Sequence, residues 1–208
     1  MLAPKRSSPS NTRARTMRAK GAFAASMIYW HLLLTIPYYN TIVVNVIPKL
    51  IYLHRSPWTV LPPGIHDSDL DEIRDRFATN AVRRELFTCL VDAAAGLRLA
   101  GCKKIYLGGS YVTDKPKPRD FDICWDPNGI DPKRLDPVLL DFRNGRAAQK
   151  SKFRGEFFPS SLHCEDVGKT FLEFFQQDRF TGKRKGILVI PLDRDPCLLR
   201  GKVHDLQQ

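Results

Sequence analysis

Two aspartates one residue apart, Asp120 and Asp122, lie nine residues beyond Ser110. Ser110 itself closes a Gly108-Gly109-Ser110 turn that follows the short apolar run Ile105 to Leu107. These are residue types that phosphoryl chemistry uses. A glycine turn lets backbone amides approach a phosphate oxygen, and Ser110 adds a hydroxyl donor. Phe121, Ile123 and Trp125 alternate with Asp120, Asp122 and Cys124, the period of a strand with one apolar face. Residues i and i+2 then share a face, roughly 6–7 Å apart at about 3.3 Å per residue. Two ionised carboxylates with oxygens roughly 5 Å apart repel by about 3 kcal/mol at an effective dielectric near 20. A divalent cation with a preference for hard oxygen ligands, Mg²⁺ or Mn²⁺, turns that repulsion into attraction. An isolated Asp-x-Asp also fits a solvated strand edge, and an isolated Gly-Gly-Ser is commonly a plain turn. Their pairing, each beside its own short apolar strand, is what points to chemistry. No Walker loop, dinucleotide fingerprint, nucleophile elbow or H-E-x-x-H helix occurs.

Gly109-Ser110, nine residues, then Asp120-Phe121-Asp122 resembles the Gly-Ser-x9-Asp-x-Asp signature of the polymerase-beta-like nucleotidyltransferase superfamily. Further phrases resemble a group of small bacterial proteins assigned to that superfamily, the minimal nucleotidyltransferase type. They are L-P-P-G-I-H (61–66), G-G-S-Y-V-T-D-K-P-K-P-R-D-F-D (108–122), G-E-F-F-P (155–159) and F-F-Q-Q-D-R…K-G-I (174–187). The resemblance covers about Val60 to Leu192. It implies an α+β fold, a mixed β-sheet with helices packed on one face, and a nucleotide lying over the Gly-Ser turn. It also implies transfer of a nucleoside monophosphate, from ATP or another nucleoside triphosphate, to a hydroxyl acceptor with pyrophosphate leaving.

The same resemblance implies a third acid on a later strand. Glu156 is preferred, because it opens a short aromatic strand; Glu173 is the alternative, since Thr170 to Gln176 has strand composition. Asp120 and Asp122 would hold a metal bridging the triphosphate, and Glu156 would join them at a second. Two such ions stabilise both the attacking and leaving oxygens of an in-line displacement. Gly108, Gly109 and Ser110 would contact phosphate. Lys115, Lys117 and Arg119 would neutralise the triphosphate or form an ordinary solvated loop, and Lys185 is a further candidate. Many relatives place a helix between the Ser and the aspartates, whereas Lys115-Pro-Lys-Pro118 predicts an extended or turning segment here. The acceptor is open: a protein hydroxyl, a tRNA end or a small molecule. A partner protein from a toxin–antitoxin pair fits proteins of this size, so the rival function is a catalytically silent antitoxin or partner-binding module of the same fold.

The net charge of +11 looks like a nucleic-acid signature until it is located. Residues 1–66 hold eight Lys or Arg and no acid, which leaves a balance of only +3 over residues 67–208. Composition sets apart an N-terminal extension, residues 1–57, and the resemblance implies a nucleotidyltransferase-like domain over residues 58–208. Met1 to Lys20 is Arg/Ser-rich and acid-free; Ala22 to Leu53 is apolar and aromatic but interrupted. Its longest piece, Ala22 to Ile36, is shorter than the roughly 20 residues that span a bilayer. The extension admits three assignments: a membrane tether through residues 22–53, a transit-like leader, or translated upstream sequence. The last is preferred, because the extension lacks acids and lies outside the resemblance. Cys89, Cys102, Cys124, Cys164 and Cys197 are odd in number with no C-x-x-C, which disfavours zinc and a disulfide framework. A cytoplasmic location is expected. His163-Cys164-Glu165-Asp166 reads as a polar loop, and His66 as a cap or turn residue.

The elements that must position the acids follow from local pattern. A capped helix starts in Asp67-Ser-Asp-Leu-Asp-Glu72, and a second runs from an Asn80 cap to Ala100, ending at Gly101. Leu86, Leu90, Ala93/Ala94 and Leu97 share one face of it. Strands are expected near 103–107, 120–125 and 153–158, with a helix over 131–142. A hairpin of 170–177 with 186–192 is expected around the turn Asp178 to Gly182.

Overall fold

The computed structural model describes residues 47–164 and 168–205, so the readings of residues 1–46 and of Glu165 and Asp166 lie outside the described residues. In chain order the strands are β1 (Gly64–Asp67), β2 (Lys104–Gly108), β3 (Phe121–Trp125), β4 (Gly155–Pro159), β5 (His163–Cys164), β6 (Lys169–Thr170) and β7 (Gly186–Pro191). The helices are α1 (Leu70–Phe77), α2 (Ala81–Leu99), α3 (Arg143–Phe153), α4 (Phe171–Phe175) and α5 (Pro196–Asp205). Five strands form one mixed sheet in the order β1-β7-β2-β3-β4, and β5 and β6 form a separate ladder. β2 runs antiparallel to both β3 and β7, while β1 is parallel to β7 and β4 is parallel to β3. The fold is therefore α+β around a mixed five-stranded sheet.

Alternation along the strands gives the sheet two unlike faces. Ile105, Leu107, Phe121, Ile123, Phe157, Leu188 and Ile190 point to one side, into the large core with Leu70, Ile73 and Phe77 of α1 and the α2 stripe Leu86, Leu90, Ala93, Ala94 and Leu97. Truncating one of those buried leucines would cost about 2–5 kcal/mol. Phe153 of α3 and Leu198 of α5 pack on the same core. Tyr106, Cys124, Phe158 and Ile187 point to the other side, where a smaller cluster is covered by Phe171, Leu172 and Phe175 of α4. Most helical packing thus falls on one face, and α4 is the exception.

Caps place the helix starts. The Asp69 carboxylate accepts from Glu72 N at 2.8 Å, and the Asn80 side-chain carbonyl accepts from Arg83 N at 3.1 Å. Asp195 ties α1 to α5, accepting from Leu70 N at 2.9 Å and Leu198 N at 3.1 Å. Ile47 is buried in the large core, and Ile51 pairs with Val60 in an isolated antiparallel bridge. No helix among the described residues is long and apolar enough to cross a membrane.

Two expected elements differ. Residues 131–142 are not one helix: turns lead to a 3-10 turn at Pro137–Leu140, and α3 starts only at Arg143. Pro137 disfavours helical backbone at Asp136, whose carboxylate instead caps Val138 N at 3.0 Å. The expected hairpin is also replaced, because Phe171–Phe175 is helical and β7 pairs with β1 and β2. Thr170 and Glu173 form a reciprocal capping box, and Phe171 and Phe175, one turn apart, both reach the Phe158 ring. The run was apolar enough for a strand, and the Thr-x-x-Glu cap decided for helix.

Candidate functional site

The acids gather at one end of the sheet, on the face with the smaller cluster. Gly108, last in β2, pairs with Asp122, second in β3, and Asp122 pairs in turn with Glu156, second in β4. Asp122 shares a side with Cys124, and Glu156 with Phe158, so both carboxylates rise from the face opposite α1 and α2. Gly109 turns the chain away at φ 72°, and a Cβ there would lie 1.8 Å from Asp122 Oδ2. The glycine is needed twice, for its left-handed backbone and because the carboxylate occupies the side-chain space. Gly155 has a matching reason beneath the site, since a Cβ would come within 2.3 Å of the Phe121 ring.

The pairing of β3 with β4 makes the acids neighbours, and their electrostatics follow from it. Burial, then the charges of Asp120 and Glu156, push the Asp122 carboxyl up to about 7, against the opposing pull of Lys185 and Arg146. Asp120 is also raised, by burial and then by Glu156, while Lys150, Lys115 and Arg119 oppose. Burial pushes the Lys185 ammonium down, with Asp122 and Asp178 holding it up. Glu156 is engaged already: Arg146 Nε lies 3.2 Å from its Oε2, and Lys150 Nζ pairs with its Oε1. Among the described residues, no three His, Cys, Asp or Glu side chains are arranged to hold a metal ion. The donor chemistry still suits a hard divalent cation, because Asp122 carries a burial cost that a bound cation would relieve. Asp120 and Asp122 could hold such an ion, and Glu156 could join them once released from its two cations.

Two buried side chains hold the surroundings in place. The Arg83 guanidinium donates to Phe77 O at 2.6 Å, Lys115 O at 3.0 Å, Thr113 O at 3.0 Å and Tyr111 O. It lies 4.9 Å from the Tyr111 ring centroid and fixes the loop between the glycine turn and Asp120. That loop runs through turns and bends with no helix, as its prolines require. Gln149 of α3 donates to Leu139 O at 3.1 Å and accepts from Phe157 N at 2.8 Å. It thereby satisfies an edge-strand amide of β4 and lays α3 alongside Glu156.

Of the residues singled out from sequence, Gly108, Gly109, Asp120, Asp122, Glu156 and Lys185 come together, and Lys115 faces Asp120. Ser110 is half-buried in the turn, where its carbonyl accepts from Thr113 Oγ1 at 2.7 Å. Lys117 is exposed, and Arg119 takes the place beside Lys115 in acting on Asp120. Glu173 is not at the acids, since its carboxylate accepts from Thr170 N and Oγ1, both at 2.9 Å. His66 lies in β1 rather than in a turn, with its Nε2 2.8 Å from Pro62 O. Sequence reasoning missed Arg83, Arg146 and Lys150. Lys150 lies in the right-handed part of α3 and Arg146 at its left-handed start, so helical spacing in the sequence could not have paired them.

The chain belongs to the family described as "Family of unknown function (DUF6932)", which matches residues 55–191. No curated protein and no solved structure matches it.

Proposed function

We propose that this family member is a metal-dependent nucleotidyltransferase that moves a nucleoside monophosphate from a nucleoside triphosphate to a hydroxyl acceptor, releasing pyrophosphate. One observation carries the reading: the Gly109 turn is packed directly on the Asp122 carboxylate, with Asp120 and Glu156 beside it. A phosphate on the turn's amides would therefore touch the acids. Bound Mg²⁺ or Mn²⁺ would supply charge neutralisation on the triphosphate. Asp120 and Asp122 would hold it, the Gly109 and Ser110 amides and the Ser110 hydroxyl would orient the phosphates, and Lys115, Arg119 and Lys185 would balance their charge. Glu156, on the neighbouring strand, would join Asp120 and Asp122 at a second ion, and a carboxylate of this set would take the proton of the attacking hydroxyl. The acceptor classes are a protein hydroxyl, a tRNA end and a small molecule.

A second reading has its own support. Glu156 is neutralised by Arg146 and Lys150, which suits a catalytically silent nucleotidyltransferase-like module that binds a partner, such as the other member of a toxin–antitoxin pair. Calorimetric titration of ATP, GTP, CTP and UTP separates the two, with and without Mg²⁺, against Asp120→Asn/Asp122→Asn. Metal-dependent binding that the double variant loses supports the enzyme. Absence of binding by the folded wild-type chain refutes it and leaves the partner-binding module.

A further inference from the structure

We infer, on the nucleotidyltransferase reading, that Arg146 and Lys150 are phosphate-binding residues, and that the triphosphate must draw them off Glu156 before that carboxylate takes a divalent cation. The two cations sit among all three acids. Both pair with Glu156, Arg146 also acts on Asp122, and Lys150 also acts on Asp120. With Lys185 beside Asp122, and Lys115 and Arg119 acting on Asp120, they balance the negative charge of the three acids. A divalent cation alone gains little from such a balanced cluster, whereas a polyphosphate gives the displaced cations a new anion. Metal and nucleotide would then load together, each tightening the other by the same factor.

The Arg146 contact has the marks of a group that is not yet fully used. Guanidinium–carboxylate pairs favour a two-pronged geometry. Here Arg146 Nε is buried, close to Glu156 Oε2, yet makes no hydrogen bond. Its guanidinium lies over the Phe158 ring, 4.7 Å from the centroid, and so leaves part of its donor set free of Glu156. The backbone that delivers it is unusual. Asn144, Gly145 and Arg146 have φ of 49°, 61° and 63°, left-handed values that two of the three residues adopt at a cost. Backbone strain held in place by a packed helix commonly marks a residue whose direction matters.

The test uses the full chain and direct binding. Mn²⁺ is titrated without nucleotide by electron paramagnetic resonance into wild type, Arg146→Gln/Lys150→Gln, and the same double variant carrying Glu156→Gln. Mg·ATP binding is measured on the first two by calorimetry. The double variant should bind Mn²⁺ about tenfold more tightly than wild type and Mg·ATP about tenfold more weakly, within the usual range of coupling between two sites. Adding Glu156→Gln should abolish the Mn²⁺ gain. Lys152→Gln is the charge-matched control for Lys150→Gln on the same helix, because Lys152 pairs with Asp136 instead. Unchanged Mn²⁺ affinity, a gain that survives Glu156→Gln, or an equal gain from Lys152→Gln overturns the inference. If wild type still binds Mg·ATP in those cases, the nucleotidyltransferase reading stands without it. If folded wild type binds no Mg·ATP, both fall. Lys150→Gln alone, at a partly exposed helix position, gives the same comparison should the double variant unfold.

Discussion

Replacing Asp122 with Asn should stabilise the ligand-free protein at neutral and alkaline pH. The Asp122 carboxyl is pushed up to about 7 from an ordinary 3.8, first by burial and then by Asp120 and Glu156. That difference disfavours the ionised form in the folded protein by about 4 kcal/mol. Below about pH 4 the group is protonated whether the chain is folded or not, so it costs nothing. Between about pH 4 and 7 the unfolded chain releases the proton while the folded one retains it, and stability falls with rising pH. Above about 7 the full cost is present. Asn has no charge to bury, so Asp122→Asn should match wild type near pH 4 and exceed it by about 2–4 kcal/mol at pH 8. Urea unfolding followed by circular dichroism at pH 4.5, 6 and 8, with chelator present, reads this directly. A variant less stable than wild type at pH 8, or one whose advantage does not change with pH, would refute the reasoning. Such a gain would mean that the protein keeps a destabilising carboxylate for binding rather than for its fold.

Gly109→Ala should cost about 1–2 kcal/mol from the left-handed backbone alone, and more as the new methyl displaces the Asp122 carboxylate; thermal unfolding and loss of Mg·ATP binding in the same sample check both parts. Arg83→Met should cost about 3–5 kcal/mol, because it leaves three buried carbonyls and a part-buried one without this donor. Rapid proteolysis between residues 111 and 119 would locate the damage in the loop. Glu173→Ala should lower stability by about 0.5–2 kcal/mol through the lost cap and leave Mg·ATP affinity unchanged. A large drop in affinity would return Glu173 to the list of candidate ligands.

Local pattern determined much of this protein. The Asn80 cap, the Leu86–Leu97 stripe and the Gly101 end define α2 in sequence as in structure, because capping and helical period act within a few residues. The alternation through Asp120 to Trp125 set which residues face the core, since side chains on a strand can only alternate. The glycine turn and the Asp-x-Asp pair were legible as residues to watch for the same reason, each being a short-range pattern, and the structure brings them together. Competition between short signals explains the misses. Phe171 to Phe175 had strand composition, and a capping box four residues long outweighed it.

Sequence separation could not show which distant groups meet. β1 and β7 pair although more than a hundred residues lie between them, and β7 then inserts between β1 and β2. The Asp122–Glu156 pairing follows from the parallel register of β3 and β4, while the Arg146 and Lys150 contacts follow from Gln149 docking α3 on β4. Only the tertiary structure placed two cations on the third carboxylate and packed Asp122 into the space of a missing Cβ. Charge and steric fit depend on distances through space, and those are fixed when the sheet register closes and the helices bury their apolar faces against it.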